Sequence, residues 1–204
     1  MVHQADFVES ARQGHRAFLL ADEPGLGKTA QALMAAEASG AFPLLVVVPN
    51  VVKTNWLREV HQWLPGRRPT VVHGDGLELN AFSDVFIVNY DILDRHVGWL
   101  SKFDFRGMVV DEAHFIKNKD SQRSKAVQAV AKTIKARLRH PLLVALTGTP
   151  LQHLRTIVPT YASPSMPSRP PSFTWTVGTC RRHPPSARIG APPWRRWKRS
   201  CGWV

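Results

Sequence analysis

The last 54 residues of this 204-residue chain, 151–204, contain no aspartate or glutamate, yet they hold nine lysines and arginines. All 15 acidic residues precede them, so residues 1–150 carry a net charge of only +3 out of +12. The overall basicity points to a polyanionic partner, but it is chiefly a property of the tail. Cysteine is nearly absent. Cys180 and Cys201 both lie in that tail and are too few to build a disulfide framework. No apolar run approaches the roughly 18 residues of a membrane-spanning helix, so no membrane partner is expected. The N-terminus, Met-Val-His-Gln-Ala-Asp, lacks the basic-then-apolar order of a secretory leader. The expected setting is therefore cytoplasmic (the nucleoid) or nuclear, and not secreted. A hydrophobic fraction of 44% is sufficient for a packed core.

Up to Pro150, short apolar runs alternate with helical patterns. The runs Ala17–Leu20, Leu44–Val48, Thr70–His73, Val85–Asn89, Met108–Asp111 and Leu142–Leu146 read as strands covered on both faces. Between them, His3–Gln13, Lys28–Ala38, Val51–Trp63, Asp91–Leu100 and Ser121–Arg137 read as helices. This alternation predicts an α/β domain with a doubly wound, mainly parallel sheet and ligands at the carboxyl ends of its strands. Beyond Pro150 both periods vanish. Nine of the sixteen prolines and four of the seven tryptophans crowd into the tail, which predicts low order there. The expected division is thus residues 1–151 as one α/β domain and 152–204 as a basic, Pro/Arg/Trp-rich tail.

Three motifs carry chemistry. The first is Ala21-Asp22-Glu23-Pro24-Gly25-Leu26-Gly27-Lys28-Thr29, between an apolar strand and a helix. Backbone N–H groups and the positive end of a helix dipole suit an anion, Lys28 can reach terminal phosphates, and the Thr29 hydroxyl can ligate Mg²⁺. The general phosphate-loop pattern wants glycine at 22, where this chain has aspartate. The second is Met108-Val-Val-Asp111-Glu112-Ala113-His114, a strand delivering two adjacent carboxylates. Asp111 suits Mg²⁺ and Glu112 suits the attacking water, although Asp and Glu also cap helices. The third is Thr147-Gly148-Thr149-Pro150 after another strand, which by itself is only a turn pattern.

In this order the three motifs resemble those of superfamily-two helicases. The flanking residues narrow the resemblance: Gln31 after the phosphate loop, Asn55-Trp56-x-x-Glu59, and Ile116-Lys117-Asn118 with Ser121 after Asp111-Glu112-Ala113-His114 look like the Swi/Snf-type DNA translocases. That family carries Asp-Glu at the start of its phosphate loop, which accounts for Asp22, and it has methionine where this chain has Pro24. The resemblance covers residues 3 to about 151 and implies the first RecA-like lobe of a P-loop NTPase. The cofactors it implies are ATP and Mg²⁺, and the partner is double-stranded DNA. The ATP-binding residues would be Gln4, against adenine, and Asp22 through Thr29. Lys28, Asp111 and Glu112 would be catalytic, with Thr29 and Asp111 as Mg²⁺ ligands. His114, Thr147, Gly148 and Thr149 would couple the nucleotide site to motion. Pro49 and Asn50, after the second strand, and Asn89 and Tyr90, after the fourth, would contact the DNA backbone. Gln4 also reads as a solvated helix start, and the expectation for Trp56 and Trp63 is core packing.

The family pattern stops after Thr149-Pro150-Leu151-Gln152. Working members of the family close their site with a second lobe that supplies arginines to the γ-phosphate. Nothing in 152–204 carries such a motif, and 53 residues are too short for another α/β lobe. The expectation is that this polypeptide binds ATP·Mg²⁺ weakly, hydrolyses it slowly or not at all, and does not translocate. Three alternatives stand beside it: the tail is the product of a frameshift, the second lobe lies on another chain, or the tail is a nucleic-acid grip. In the last case Arg181, Arg182, Arg195, Arg196, Lys198 and Arg199, with Trp194 and Trp197, would hold phosphates and stack on bases. Cys180, His183 and Cys201 could offer zinc ligands, but their spacing matches no common finger.

Overall fold

The computed structural model describes residues 2–74 and 80–148, with side chains from residue 4 onward. The tail, Thr149 and Pro150, and the candidate zinc ligands lie outside the described residues. Six strands form one sheet: β1 (Ala17–Leu20), β2 (Leu44–Val48), β3 (Pro69–Val71), β4 (Val85–Asn89), β5 (Gly107–Val110) and β6 (Leu142–Leu146). Their spatial order is β1-β6-β5-β2-β4-β3, and every pair is parallel. Parallel strands require crossovers, which the helices provide: α1 (Val2–Arg12), α2 (Lys28–Ser39), α3 (Lys53–Trp63), α4 (Tyr90–Leu100) and α5 (Gln122–Arg137). The α/β, doubly wound, RecA-like architecture expected from the sequence is the one observed.

Residue alternation explains the two-layer burial. On β2, Leu45 and Val47 face a core shared with α4 and α5, while Leu44, Val46 and Val48 face a core shared with α2 and α3. Both faces are covered, so the central strands β2, β4, β5 and β6 are buried along their whole length and carry one polar side chain, Asn89 at the end of β4. An aromatic cluster anchors the first core. Phe86 has its ring 4.8 Å from Phe103, 5.3 Å from Phe105 and 6.3 Å from Trp99. At the other end of the sheet, α1 packs along α2, and Phe7 meets Phe18 edge-on at 4.6 Å.

Element boundaries move by a few residues from expectation. The segment before α3 forms a separate 3₁₀ turn, Asn50–Val52, because Pro49 is extended and the chain must turn sharply out of β2. The third strand ends at Val71, although the Val72 N–H still donates to the Ile87 carbonyl at 2.8 Å. Helix α5 starts where the Ser121 hydroxyl accepts the Ser124 N–H, a side-chain cap that stabilises helices by about 1 kcal/mol.

One charged residue in α5 carries a pH-dependent cost. Burial lowers the Lys135 ammonium below its ordinary 10.5. The unfolded chain therefore binds this proton more tightly, and the stability lost to Lys135 is regained as pH rises toward 10.5. Lys135→Met should melt above the parent at pH 7, and the two melting curves should converge as the pH approaches that value.

Candidate nucleotide-binding site

The strand order places the three chemical motifs side by side. β1, β6 and β5 are consecutive in the sheet, with Leu20 aligned to Leu146 and Val110 to Ala145. Their carboxyl ends therefore deliver the phosphate loop, Thr147-Gly148 and Asp111-Glu112 to one edge of the molecule. The ladder continues past the strands: the Thr147 N–H donates to the Leu20 carbonyl at 2.9 Å, and the Asp111 N–H to the Val47 carbonyl at 2.8 Å.

The phosphate loop turns through left-handed backbone at Gly25 (φ 86°) and Gly27 (φ 72°), conformations that glycine adopts without strain. Gly27 is the N-cap of α2, and no side chain caps that end. The first-turn N–H groups of this twelve-residue helix are therefore not spent on a side chain, which suits an anion. The Lys28 ammonium arches back over the loop, donating to the carbonyls of Asp22 (2.7 Å) and Glu23 (3.0 Å). Thr29 follows in the first turn. Two glutamines brace the loop from behind. Gln4 on α1 donates to the Leu26 carbonyl at 2.8 Å, and Gln31 on α2 donates to the same carbonyl at 3.2 Å. Gln4 thus stands against the phosphate loop although the two are far apart in sequence. Pro24 is exposed, and a Cβ built on Gly148 would lie 3.3 Å from its Cγ, so the third motif touches the first.

Asp111 is held at three points. The Trp56 indole N–H donates to Oδ2 at 2.8 Å, the Glu112 N–H donates to Oδ1 at 2.9 Å, and the Tyr90 hydroxyl donates to the Asp111 backbone carbonyl. Burial raises the Asp111 carboxyl above its ordinary 3.8 and is opposed by the Trp56 and Glu112 hydrogen bonds; the Glu112 charge raises it further and the Lys28 charge lowers it. Tyr90 is pushed well above 10.0, first by its own burial and then by the charges of Asp111 and Glu112. Glu112 takes a left-handed backbone conformation (φ 47°, ψ 53°), a strained choice for a residue with a side chain and one that collects at functional sites. Its Oε2 lies 3.0 Å from His114 Nδ1, close but not aligned as a hydrogen bond.

Asn89 and Tyr90, the residues expected against a DNA backbone, are both buried in this lobe, at 3% exposure each. The Tyr90 hydroxyl is committed to the Asp111 carbonyl and its ring stacks on Phe115 at 5.7 Å, so the Tyr90 side chain supports the carboxylate strand, whereas the Asn89 side chain reaches Asp91, at 3.5 Å. Trp56 is core, as expected, at 1% exposure, but it is also a donor to Asp111, which core packing alone does not require. By contrast, Pro49 is half-buried, Asn50 is exposed, and Val51 beside them is 88% exposed. Thr147 is buried and Gly148 half-buried at the mouth of the site.

The geometry matches a known family. A profile for the SNF2-related domain matches residues 3–157. The chain belongs to the SNF2-related family. It is 34% identical over 153 residues to a SWI/SNF-related matrix-associated actin-dependent regulator of chromatin subfamily A-like protein 1 from Xenopus laevis. That match covers 74% of this chain and 15% of the frog protein. It is 32% identical over 166 residues to the ISWI chromatin-remodeling complex ATPase ISW1 of Saccharomyces cerevisiae, covering 74% of this chain and 14% of the yeast protein. Among solved structures, the Sulfolobus solfataricus SWI2/SNF2 ATPase core in complex with dsDNA aligns with a TM-score of 0.64 at 28% identity. That alignment covers 77% of this chain and 33% of the Sulfolobus chain. The chain thus spans a small part of its curated relatives and corresponds to the N-terminal lobe of an SNF2-type ATPase. Among the described residues, no helix is long and apolar enough to cross a membrane.

Proposed function

We propose that this lobe binds ATP with Mg²⁺ and is one half of a DNA-dependent ATPase of the Swi/Snf type, whose full reaction couples ATP hydrolysis to movement on double-stranded DNA. The observation that carries this reading is the convergence of Lys28, Asp111-Glu112 and Thr147-Gly148 at the ends of three neighbouring strands. The residues present fit the nucleotide and the metal: an uncapped helix start, a lysine across the loop, and a carboxylate whose two oxygens each hold one donor. A carboxylate oxygen accepts more than one contact, so acceptor capacity remains for a cation. Mg²⁺ bound there would neutralise charge on the terminal phosphates.

Lys28 contacts the terminal phosphates, Thr29 and Asp111 hold the cation, and Asp22 through Gly27 wrap the phosphates. Gln4 meets the adenine edge. The Glu112 carboxylate takes a proton from the water whose oxygen bonds to the γ-phosphorus, as the bond to the bridging oxygen breaks and ADP leaves. His114 steadies Glu112, and with Thr147 and Gly148 it relays the state of the site. Pro49 and Asn50 contact duplex phosphates, supported by the exposure of the turn they open. The nucleus or the nucleoid is the matching location.

Residues 1–151 form the ATP-binding unit, and a second RecA-like lobe, which these 204 residues do not include, supplies the arginines that speed phosphoryl transfer. By itself the 204-residue chain then binds ATP but hydrolyses it poorly, with little stimulation by duplex DNA. Calorimetry with ATP and a phosphate-release assay with and without duplex check both halves. A strong duplex-stimulated rate that vanishes in Lys28→Ala would overturn the one-lobe reading; no ATP binding at all would overturn the site.

A further inference from the structure

We propose that Trp56 is a positioning residue for the nucleotide site: its indole N–H fixes the orientation of the Asp111 carboxylate and so sets how well the lobe holds Mg²⁺. The inference rests on the ATP·Mg²⁺ reading above and deepens it.

Trp56 lies in the first turns of α3, 1% exposed, packed among the apolar side chains between α2, α3 and the sheet. A phenylalanine or leucine would also fill such a space. A buried indole N–H, however, must find an acceptor, and this one reaches across 55 residues of sequence to Oδ2 of Asp111 at 2.8 Å. The opposite oxygen, Oδ1, accepts the Glu112 N–H at 2.9 Å, and the Tyr90 hydroxyl ties down the backbone carbonyl of the same residue. Rotation of the carboxylate breaks at least one of these bonds. The plane of the carboxylate is therefore set before any cation arrives, as partners of metal-binding side chains do elsewhere. Of the two oxygens, only Oδ2 depends on another element of the fold, so Trp56 is the tie between α3 and the carboxylate strand.

The test uses the full 204-residue chain and its Trp56→Phe variant. A fluorescent N-methylanthraniloyl derivative of ATP is titrated first in EDTA and then with increasing Mg²⁺, and thermal melting is recorded in parallel. Outer partners of this kind change metal affinity by about 10-fold or more. The Mg²⁺ midpoint of Trp56→Phe should therefore rise about 10-fold, while binding in EDTA stays at the parent value. An unchanged midpoint in a variant that merely melts earlier would overturn the proposal and leave Trp56 as packing alone. If the parent shows no Mg²⁺-dependent binding, the nucleotide reading falls and this proposal with it, so the two failures are distinct. Should Trp56→Phe not fold, benzothienylalanine at position 56 keeps the ring volume without the N–H, and the same two outcomes decide.

Discussion

Phe86→Ala should cost this lobe about 3–5 kcal/mol, the range for removing a buried aromatic ring. Phe86 is 1% exposed on β4 and is the hub of a cluster whose other rings, Phe103, Phe105 and Trp99, come from the end of α4 and the connection to β5. Of these rings, Trp99 is carried on α4 itself, the helix that has Tyr90 at its start, so its collapse into the gap would shift that helix. The loss is large against a total stability of about 5–15 kcal/mol for a domain. At this size it corresponds to a fall in melting temperature of roughly 6–20 °C. Urea unfolding followed by circular dichroism gives the number directly, with the slope of the transition unchanged. Phe82 is the matched control: it is 78% exposed, and its alanine variant should stay within about 0.5 kcal/mol of the parent. A Phe86→Ala cost below about 1 kcal/mol would mean that the aromatic cluster is not the centre of this core.

The core was readable because parallel strands covered on both faces are mainly apolar, and the short Val/Leu/Ile runs at 44–48, 85–88 and 142–146 have that composition and length. Register and order were not readable. No residue in β6 announces that it will sit between β1 and β5, yet that placement makes a site of three separated motifs. The family resemblance supplied the grouping that local pattern could not. Boundaries slipped where a turn competes with a helix: Pro49 sets an extended entry, and a 3₁₀ turn then precedes α3.

Side-chain direction was the weakest inference. Asn89-Tyr90 and Pro49-Asn50 look alike in sequence, each pair closing an apolar strand. The first pair is buried, with Tyr90 against Phe115 and Asp111, and in the second Pro49 is half-buried while Asn50 is exposed. The difference arises because α4 begins at Tyr90 itself, turning the ring inward, whereas a 3₁₀ turn separates Asn50 from α3. Trp56 was read as core from its apolar character, and that reading missed the N–H. A signal did exist: a tryptophan in a buried helix face needs an acceptor, and the acidic strand end at 111 is the polar group the sheet brings there.

Lys28→Ala should weaken ATP binding by roughly 10–100-fold, the equivalent of 1.5–3 kcal/mol for hydrogen bonds to a charged group, and should barely touch AMP. The reasoning turns on what the ammonium holds. In this structure it donates to two loop carbonyls, Asp22 and Glu23, at the half-buried mouth of the site, and it lies near enough to Asp111 to lower that carboxyl. Phosphate oxygens are stronger acceptors than carbonyls, because they carry charge, so the same side chain can exchange one set for the other. The contrast between ligands separates two roles for the lysine. If it contacts terminal phosphates, the loss grows from AMP to ADP to ATP. If it only keeps the loop folded, all three nucleotides weaken together and the melting temperature falls as well. The two carbonyls it leaves behind are near solvent and can take water instead, so the stability change should remain within about 0.5 kcal/mol. Titration of the three nucleotides against parent and variant, with melting curves alongside, discriminates the cases, and equal losses for AMP and ATP would remove Lys28 from the phosphate contacts.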